Sequence, residues 1–357
     1  MNFKEGSPDV QREWRDLVKV ANRDVEAALR QAVKRSLLEL SRAINGDAKT
    51  EPQTLFGVQI ALDAGHINYR PSMINLTHVV NVVAKELISI VAVVPRLRAD
   101  LTAAGQPLTD AGVAGPQGNN NNETIDRNPT LYSVISNDEE ILKIVVQIMN
   151  GMSSTATELQ KFLGYWEKYK PIWEMDKDAY IRRYAKANRN LKHYDDDVTK
   201  HRNQQMDIQK ESISHAINFV QIDCTLLKAA LVAHCQTWQQ KLLTLLNANA
   251  RQNLDALHRH FEDMTAKLTA TTHQSLPEKT QLLTDLQTEA ASLEANIPPI
   301  EDMYATLQKF DLQVAAPEQA RVTNLREASK DLQKAIEEAQ QLIDDKTSSS
   351  RVDNNII

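Results

Sequence analysis

Apolar residues recur every three or four positions through most of this chain, which is the spacing of one face of an α-helix. The first such segment has clear ends. Ser7 is a suitable N-cap and Pro8 suits the first helical position, while Asn45-Gly46 supplies a left-handed stop. The pattern therefore predicts a helix that begins at Pro8 and ends at Asn45.

A short passage after this helix follows a different rhythm. Between residues 56 and 69, apolar residues occupy every second position on either side of Asp63-Ala64-Gly65-His66. This alternation around a turn predicts a β-hairpin. A second helix is predicted over 72–94, because Pro95 ends the periodicity that follows.

Long helical patterns fill most of the remaining chain. Helices are predicted over 138–169, 176–192 and 198–270, and acidic helices follow Pro277 up to residue 346, with heptad spacing over 322–343. The predicted fold class is all-α, with elongated helical bundles of long antiparallel helices and one short β-hairpin near 55–70. The predicted segments are an N-terminal helical bundle with the hairpin (1–98), a disordered Gly/Asn-rich insertion (99–130), a long-helix bundle (131–275), acidic C-terminal helices (276–346) and a polar tail (347–357).

The composition supports a helical, non-catalytic chain. Only 10 of 357 residues are glycine, and none follows Gly164, whereas sheet-rich enzymes need glycine at turns and ligand contacts. The net charge of −6 predicts no general attraction to nucleic acid or to an anionic membrane. Two cysteines indicate a reducing compartment. With no apparent signal peptide and only eight residues in the longest apolar stretch, over 87–94, a cytosolic protein without a membrane span is predicted.

The motifs expected of an enzyme do not occur. The glycines near 112–118 lack the lysine and helix start of a phosphate-binding loop, and no GxSxG sequence marks a hydrolytic serine. Cys224 and Cys235 are eleven residues apart, about 16 Å along a helix, too far to share one metal ion. No catalytic residue, cofactor site or metal site is therefore predicted.

The best candidates for structural or interaction roles are aromatic residues at helical spacing. Phe162, Trp166, Tyr169 and Trp173 step by four, three and four positions, a pattern more typical of a core than of an interface. Trp14 and Trp238 lie in similar apolar stripes.

Arg182, Arg183 and Lys186 form the sharpest basic cluster. On a helix, Arg182 and Lys186 lie on one face with Arg189 and His193, so a solvated or salt-bridged face is favoured, with protein docking and nucleic-acid binding as weaker alternatives.

Taken together, the longer motifs carry a family resemblance. Residues 13–18 (EWRDLV), 40–47 (LSRAINGD), 159–188 (LQKFLGYWEKYKPIWEMDKDAYIRRYAKAN) and the Asp223-to-Lys241 region occur in this order along the chain. The set resembles the tail of an axonemal dynein heavy chain of the outer-arm type, from residue 3 to about residue 261.

This resemblance implies a stem made of stacked helical bundles, without a motor. The implied role is structural and force-transmitting, in the axoneme of a cilium or flagellum, within the cytoplasmic cytoskeleton. The implied partners are other dynein heavy, intermediate or light chains and docking proteins, with microtubules contacted only indirectly and neither nucleic acid nor membrane involved.

The departures from the family leave a second class of function open. The chain shows no AAA modules, linker or microtubule-binding stalk, and its start at Met1 within the family's tail indicates a fragment. The alternative is a free-standing helical adaptor or scaffold that pairs through the heptads of 322–343.

Overall fold

The computed structural model describes residues 8–101, 107–109, 129–270 and 276–353. The α-helices are α1 (Pro8–Asn45), α2 (Met73–Ser89), α3 (Leu131–Ser136), α4 (Glu139–Trp166), α5 (Lys170–Glu174), α6 (Lys177–Lys186), α7 (Leu191–Lys210), α8 (Thr225–Ala270), α9 (Leu276–Glu294), α10 (Ile297–Lys309), α11 (Ala316–Thr323) and α12 (Leu325–Asp353). The strands are β1 (Phe56–Asp63), β2 (His66–Arg70), β3 (Leu97–Leu101), β4 (Pro107–Thr109), β5 (Ser214–Ile217) and β6 (Val220–Asp223). The predicted helical fold class is confirmed.

The chain divides into two compact units. Unit 1 comprises Met1–Lys170 and Glu211–Ala230, and unit 2 comprises Pro171–Lys210 and Leu231–Ile357. Each unit thus combines two separate stretches of chain. The segment boundaries predicted from composition, at residues 98, 130, 275 and 346, stay predictions.

In unit 1, α1 packs along α4. The predicted ends of α1, Pro8 and Asn45, are confirmed, and the following Gly46 lies in the left-handed region at φ 69°. The two helices are in close contact at Gly151 of α4, where an added Cβ would lie 1.9 Å from the Asn45 side chain. Leu37 and Ile44 of α1 are fully buried in the same unit. Glycine at this position therefore permits a helix contact that a larger residue would push apart.

A small sheet completes unit 1, with strand order β2-β1-β6-β5. The hairpin predicted near 55–70 is present as β1 and β2, with Ala64 and Gly65 both at positive φ in the two-residue turn. The β5–β6 pair is antiparallel, and β6 runs parallel to β1. Asn218, in the β5–β6 turn, donates to the buried hydroxyl of Thr155 on α4 over 2.9 Å, which joins the sheet to the helices.

The single long helix predicted over 198–270 is wrong. α7 ends at Lys210, and α8 begins at Thr225 after the β5–β6 hairpin. Asn218 has φ 50°, which breaks helical geometry, and Phe219 and Ile222 are fully buried. The prediction of one hairpin for the whole chain is therefore also wrong, because β5 and β6 form a second hairpin.

The predicted disordered insertion lies mostly outside the described residues. Within it, residues 99–101 and 107–109 belong to the antiparallel strands β3 and β4, which the apolar pattern did not predict. The Asn22 side chain on α1 anchors the start of β3, since it accepts from Leu97 N (2.9 Å) and donates to Leu97 O (2.8 Å).

One helical segment, 73–93, has the length and hydropathy of a membrane span, although the sequence prediction excluded one. Only 22% of its most apolar window is buried. Leu76, Val80 and Ala84 are buried in unit 1, whereas most of the window is accessible. Length and hydropathy alone are weak evidence for insertion in a bilayer.

Unit 2 is a bundle around one continuous core that extends from Tyr184 on α6 to Ile343 on α12. Its helix α6 ends at Lys186, earlier than the predicted end at residue 192. Asn188 has φ 45°, and α7 begins at Leu191. The left-handed Asn188 therefore separates α6 from α7, which begins seven residues before the predicted start at residue 198.

Candidate interaction sites

The predicted aromatic series is divided between the two units. Phe162, Trp166 and Tyr169 belong to unit 1, whereas Trp173 belongs to unit 2. Trp166 is fully buried and lies edge-on to Tyr165, with ring centroids 5.8 Å apart. Tyr169 is buried, while Phe162 is half-buried and its ring centroid lies 4.9 Å from that of His215. Within unit 1, the series therefore lies partly in the core, at Trp166 and Tyr169, and partly at its edge, at Phe162.

Trp173 and Trp14 are both half-buried. Trp14 lies on α1 in unit 1, and Trp173 lies on the short helix α5 in unit 2. Neither has the full burial of Trp166, so each side chain combines core contact with an accessible edge.

A polar cluster at the end of α4 was missed by sequence reasoning. The ammonium of Lys168 lies 3.8 Å from the Tyr165 ring centroid and 3.3 Å from Glu211 Oε1. The Tyr165 hydroxyl donates to the same carboxylate. The hydrogen bond from Tyr165, which has the larger effect, and that from Lys168 lower the pKa of Glu211. Lys228 donates to the Glu211 carbonyl. Residues distant in sequence thus hold the junction before β5, and no local motif marks them.

Trp238 is the centre of a mixed aromatic and basic cluster in unit 2. Its indole Nε1 donates to the Ile172 carbonyl over 2.8 Å. The ring stacks on His201, with centroids 5.2 Å apart and planes 4° apart, and lies edge-on to Tyr180 at 5.1 Å. Lys177 places its ammonium 5.3 Å from the Trp238 centroid. Trp238 therefore joins α5, α6, α7 and α8.

The basic cluster lies on the surface of unit 2. Arg182, Arg183 and Lys186 are all exposed on α6, and none forms a salt bridge among the described residues. Arg189 lies beyond the end of α6, so the predicted continuous basic face through Arg189 and His193 is wrong. Its guanidinium instead lies 5.0 Å from the Tyr184 ring centroid.

Replacing Arg182 and Arg183 together with glutamate is expected to lower the free energy of unfolding by less than about 1 kcal/mol. Both side chains are exposed, and the cost is limited to reversing charge at a helix C-terminus. Chemical denaturation of the double variant measures this. Unfolding of the variant at neutral pH would show instead that an acidic surface covers the cluster.

A buried carboxylate ties together three helices of unit 2. Glu318 on α11 is 7% exposed and accepts from Arg251 Nη2 on α8 (2.6 Å) and from the Tyr304 hydroxyl on α10 (2.6 Å). Burial alone would raise the pKa of Glu318, but the hydrogen bonds from Arg251 and Tyr304 outweigh it, so the pKa is lowered.

The lowered pKa predicts acid sensitivity. Glu318 stabilises the folded chain above the ordinary glutamate pKa, 4.5, and this contribution disappears as the pH falls through the lower folded pKa. Glu318→Gln is expected to cost about 1–3 kcal/mol at pH 7, and the difference from wild type should shrink near pH 3. Urea unfolding at both pH values measures this.

The matched control is Glu301→Gln, which removes a carboxylate paired with Arg326 at the surface of unit 2. That substitution should cost about 0–1 kcal/mol, because a more exposed ion pair gains little. Equal losses for the two variants would contradict a special role for Glu318.

The described residues contain no group of three or more His, Cys, Asp or Glu side chains that could hold a metal ion. Cys224 and Cys235 are buried and unpaired, and burial raises the pKa of each thiol to about 11. Thiols held protonated in this way are poor nucleophiles at neutral pH.

Comparison with known proteins identifies relatives of this chain. Residues 240–355 match the family described as the dynein axonemal heavy chain 2/5/8 coiled-coil. The chain is 35% identical over 342 residues, 94% of its length, to the dynein-1-beta heavy chain of the flagellar inner arm I1 complex of Chlamydomonas reinhardtii. It is 34% identical over 320 residues, 87% of its length, to dynein axonemal heavy chain 2 of Homo sapiens.

The chain belongs to the axonemal dynein heavy-chain family.

The family resemblance seen in the sequence is thereby confirmed at this level. The chain spans 7% of the length of the two relatives, which are axonemal dyneins of flagella and cilia. The dynein gamma chain of the flagellar outer arm of Chlamydomonas reinhardtii is also related, at 19% identity over 94% of this chain and 7% of its own length.

The coiled-coil match lies entirely in unit 2 of this dynein sequence. It begins within α8, continues through α9, α10 and α11, and ends beyond the last residue of α12. The Arg251–Glu318 ion pair and the acidic helices lie inside it. The part of the heavy chain that this match describes is therefore one that packs helix against helix.

Proposed function

We propose that this chain is a non-catalytic stem segment of an axonemal dynein heavy chain, with structural, force-transmitting and subunit-binding roles. The observation that carries this proposal is α8. It is a helix of 46 residues, about 70 Å long at the rise of an α-helix, and its residues 240–270 lie within the coiled-coil match. Buried residues recur along it from Leu227 to Met264, so its packed face persists over most of its length.

A long helix packed along its length suits the transmission of force. In unit 2, buried side chains of α7, α9, α10 and α12 form one core with those of α8. Bending such a helix would disturb many close-packed contacts at once, since protein interiors have few voids. The absence of motor activity in this segment is part of the same proposal, because the match is to a coiled-coil region.

We further infer that the arm class is that of the inner-arm I1 complex rather than the outer arm. The support is the identity of 35% to the inner-arm chain against 19% to the outer-arm gamma chain, each over 94% of this sequence. The proposed partners are other heavy, intermediate or light chains and docking proteins, with microtubules contacted only indirectly.

The size of the native polypeptide tests the stem function. An antibody raised against residues 155–195 should detect a ciliary or flagellar band many times larger than 40.2 kDa, because this sequence corresponds to 7% of its relatives. A cytosolic band near 40 kDa would contradict the proposal. It would favour the alternative of a free-standing adaptor that pairs through the heptads of 322–343, which begin at the end of α11 and continue along α12.

The arm class has its own test. Immunoblots of axonemes that lack either the I1 complex or the outer arms should show loss of the band only when the I1 complex is missing. Loss only in the absence of outer arms would overturn the inner-arm inference while leaving the stem function in place.

A further inference from the structure

A groove of about 610 Å³ lies between α8 and α12 in unit 2. Its lining extends along α8 from His258 to Thr269, about 16 Å of helix. The other wall is formed by α12 from Ala328 to Ala335. This elongated form follows α8 over about three turns and α12 over about two, which suits a third helix better than a compact ligand.

The groove exists because its walls carry small side chains. Thr265, Ala266 and Thr269 on α8 are exposed, and Ala328 and Ala335 on α12 are only half-buried. The backbone of α12 approaches that of α9 closely, whereas few residues of α8 and α12 come within the same distance. Two helices with alanine and threonine at their seam leave space that a larger side chain would fill.

The floor of the groove is apolar. Phe261 and Leu332 line it and are 6% and 5% exposed, respectively. Their buried sides belong to the continuous core of unit 2. A partner that inserts leucine-sized side chains here would extend that core by one layer, which is how an amphipathic helix binds a groove.

The rim of the groove is acidic. Glu262 and Asp331 line it, both are exposed, and neither forms a salt bridge to a lysine or arginine in the described part of the chain. Residues 278–345 carry 14 acidic against 6 basic side chains. A second copy of α12 would therefore meet like charge, whereas a helix with lysine or arginine beside its apolar stripe would meet opposite charge.

We propose that the α8–α12 groove binds an amphipathic helix with basic flanks from another polypeptide of the dynein assembly. The inference rests on the proposed stem function and deepens it, because it assigns one subunit-binding surface and its chemistry. Leucine-sized residues of the partner contact Phe261 and Leu332, and its basic residues pair with Glu262 and Asp331.

The test uses the full 357-residue chain and a fluorescein-labelled synthetic helix of three heptads, with leucine at positions a and d and lysine at e and g. Fluorescence anisotropy should show saturable binding. A helix with glutamate at e and g, and a scrambled peptide of the same leucine and lysine content, should bind at least about tenfold more weakly.

Three variants locate the binding. The double variant Glu262→Lys with Asp331→Lys should weaken binding of the basic helix by about tenfold or more, as the loss of two charge pairs implies. Ala266→Trp, which fills the groove from its exposed side, should weaken it comparably. Asp302→Lys with Glu278→Lys, the same charge change outside the groove lining, should leave it within about twofold.

Several results would overturn the proposal. Equal binding of the scrambled helix, or equal loss in the control variant, would mean that the acidic chain attracts cations without a groove. A dimer in light scattering that Ala266→Trp disrupts would assign the groove to a second copy. Either result would leave the stem function intact, since that depends on the size of the native polypeptide.

Discussion

Replacing Trp166 with alanine is expected to lower the free energy of unfolding of unit 1 by about 3–5 kcal/mol. The side chain is fully buried at the end of α4, against Tyr165 and Tyr169. Its removal leaves a cavity that the surrounding α-helices can close only in part. Urea unfolding followed by far-UV circular dichroism measures the loss, with each transition fitted separately because the chain has two compact units.

Trp173→Ala is the natural comparison, because it removes the same side chain from a half-buried site in unit 2. A smaller loss is expected there, since less apolar area leaves contact with the protein. An unchanged melting temperature for Trp166→Ala, together with weaker binding to dynein subunits, would instead make Trp166 an interface anchor.

Trp166→Phe separates packing from hydrogen bonding. The Trp166 indole Nε1 is buried without a hydrogen-bond partner among the described residues. Phenylalanine keeps most of the apolar volume and removes an unsatisfied donor, so only a small part of the alanine loss is expected. A loss as large as that of alanine would mean that the indole nitrogen has a partner.

The helices of this fold could be predicted where local signals agree. Apolar spacing together with end signals predicted α1. The helix predicted from residue 72 is α2, and in the structure the Ser72 side chain caps it by accepting from Asn75 N. These signals are local, because spacing and caps involve residues within one or two turns. The aromatic series of α4 was predicted as core by the same reasoning, and Trp166 and Tyr169 are buried.

The second hairpin could not be predicted from local signals, because its stability is not local. β6 pairs in parallel with β1, and Phe56 lies opposite Val220 across 164 positions of sequence. Only four residues form each of β5 and β6, so the alternation is too short to outweigh the helical rhythm on either side.

Polar clusters were missed for a related reason. Arg251 and Glu318 are 67 residues apart, and Lys168 and Glu211 are 43 apart. Each residue alone resembles ordinary surface charge, and only the packing of helices shows that the pairs meet. The α8–α12 groove was equally hidden, since small residues in a helical stripe predict close packing rather than a gap.

Trp238→Ala is expected to destabilise unit 2 by about 3–5 kcal/mol, comparable to the effect of Trp166→Ala in unit 1. Trp238 is 2% exposed, and four elements meet at its ring. The loss combines apolar burial with the stacking on His201 and the edge contact with Tyr180. The same urea titration measures it, in the transition that belongs to unit 2.

Trp238→Phe is the control that isolates the hydrogen bond to the Ile172 carbonyl. Trp238→Phe should cost more stability than Trp166→Phe. The Trp238 variant loses a hydrogen-bonded donor, whereas the Trp166 variant loses a donor that has no partner among the described residues. The expected extra loss of stability is about 1 kcal/mol. It stays this small because Lys177 also donates to the Ile172 carbonyl at 3.0 Å, so the carbonyl keeps one partner. Equal losses for the two phenylalanine variants would contradict this account.

The titration of His201 gives an independent readout of the same cluster. Burial lowers the pKa of His201, and the charges of Lys200 and Lys177 add to this, while a hydrogen bond with Gln204 and the charge of Asp197 oppose it. Removing the Trp238 ring admits water to the imidazole, so its pKa should rise toward the ordinary value, 6.5, in NMR titration of a variant that stays folded. An unchanged pKa would show that the ring does not shield His201.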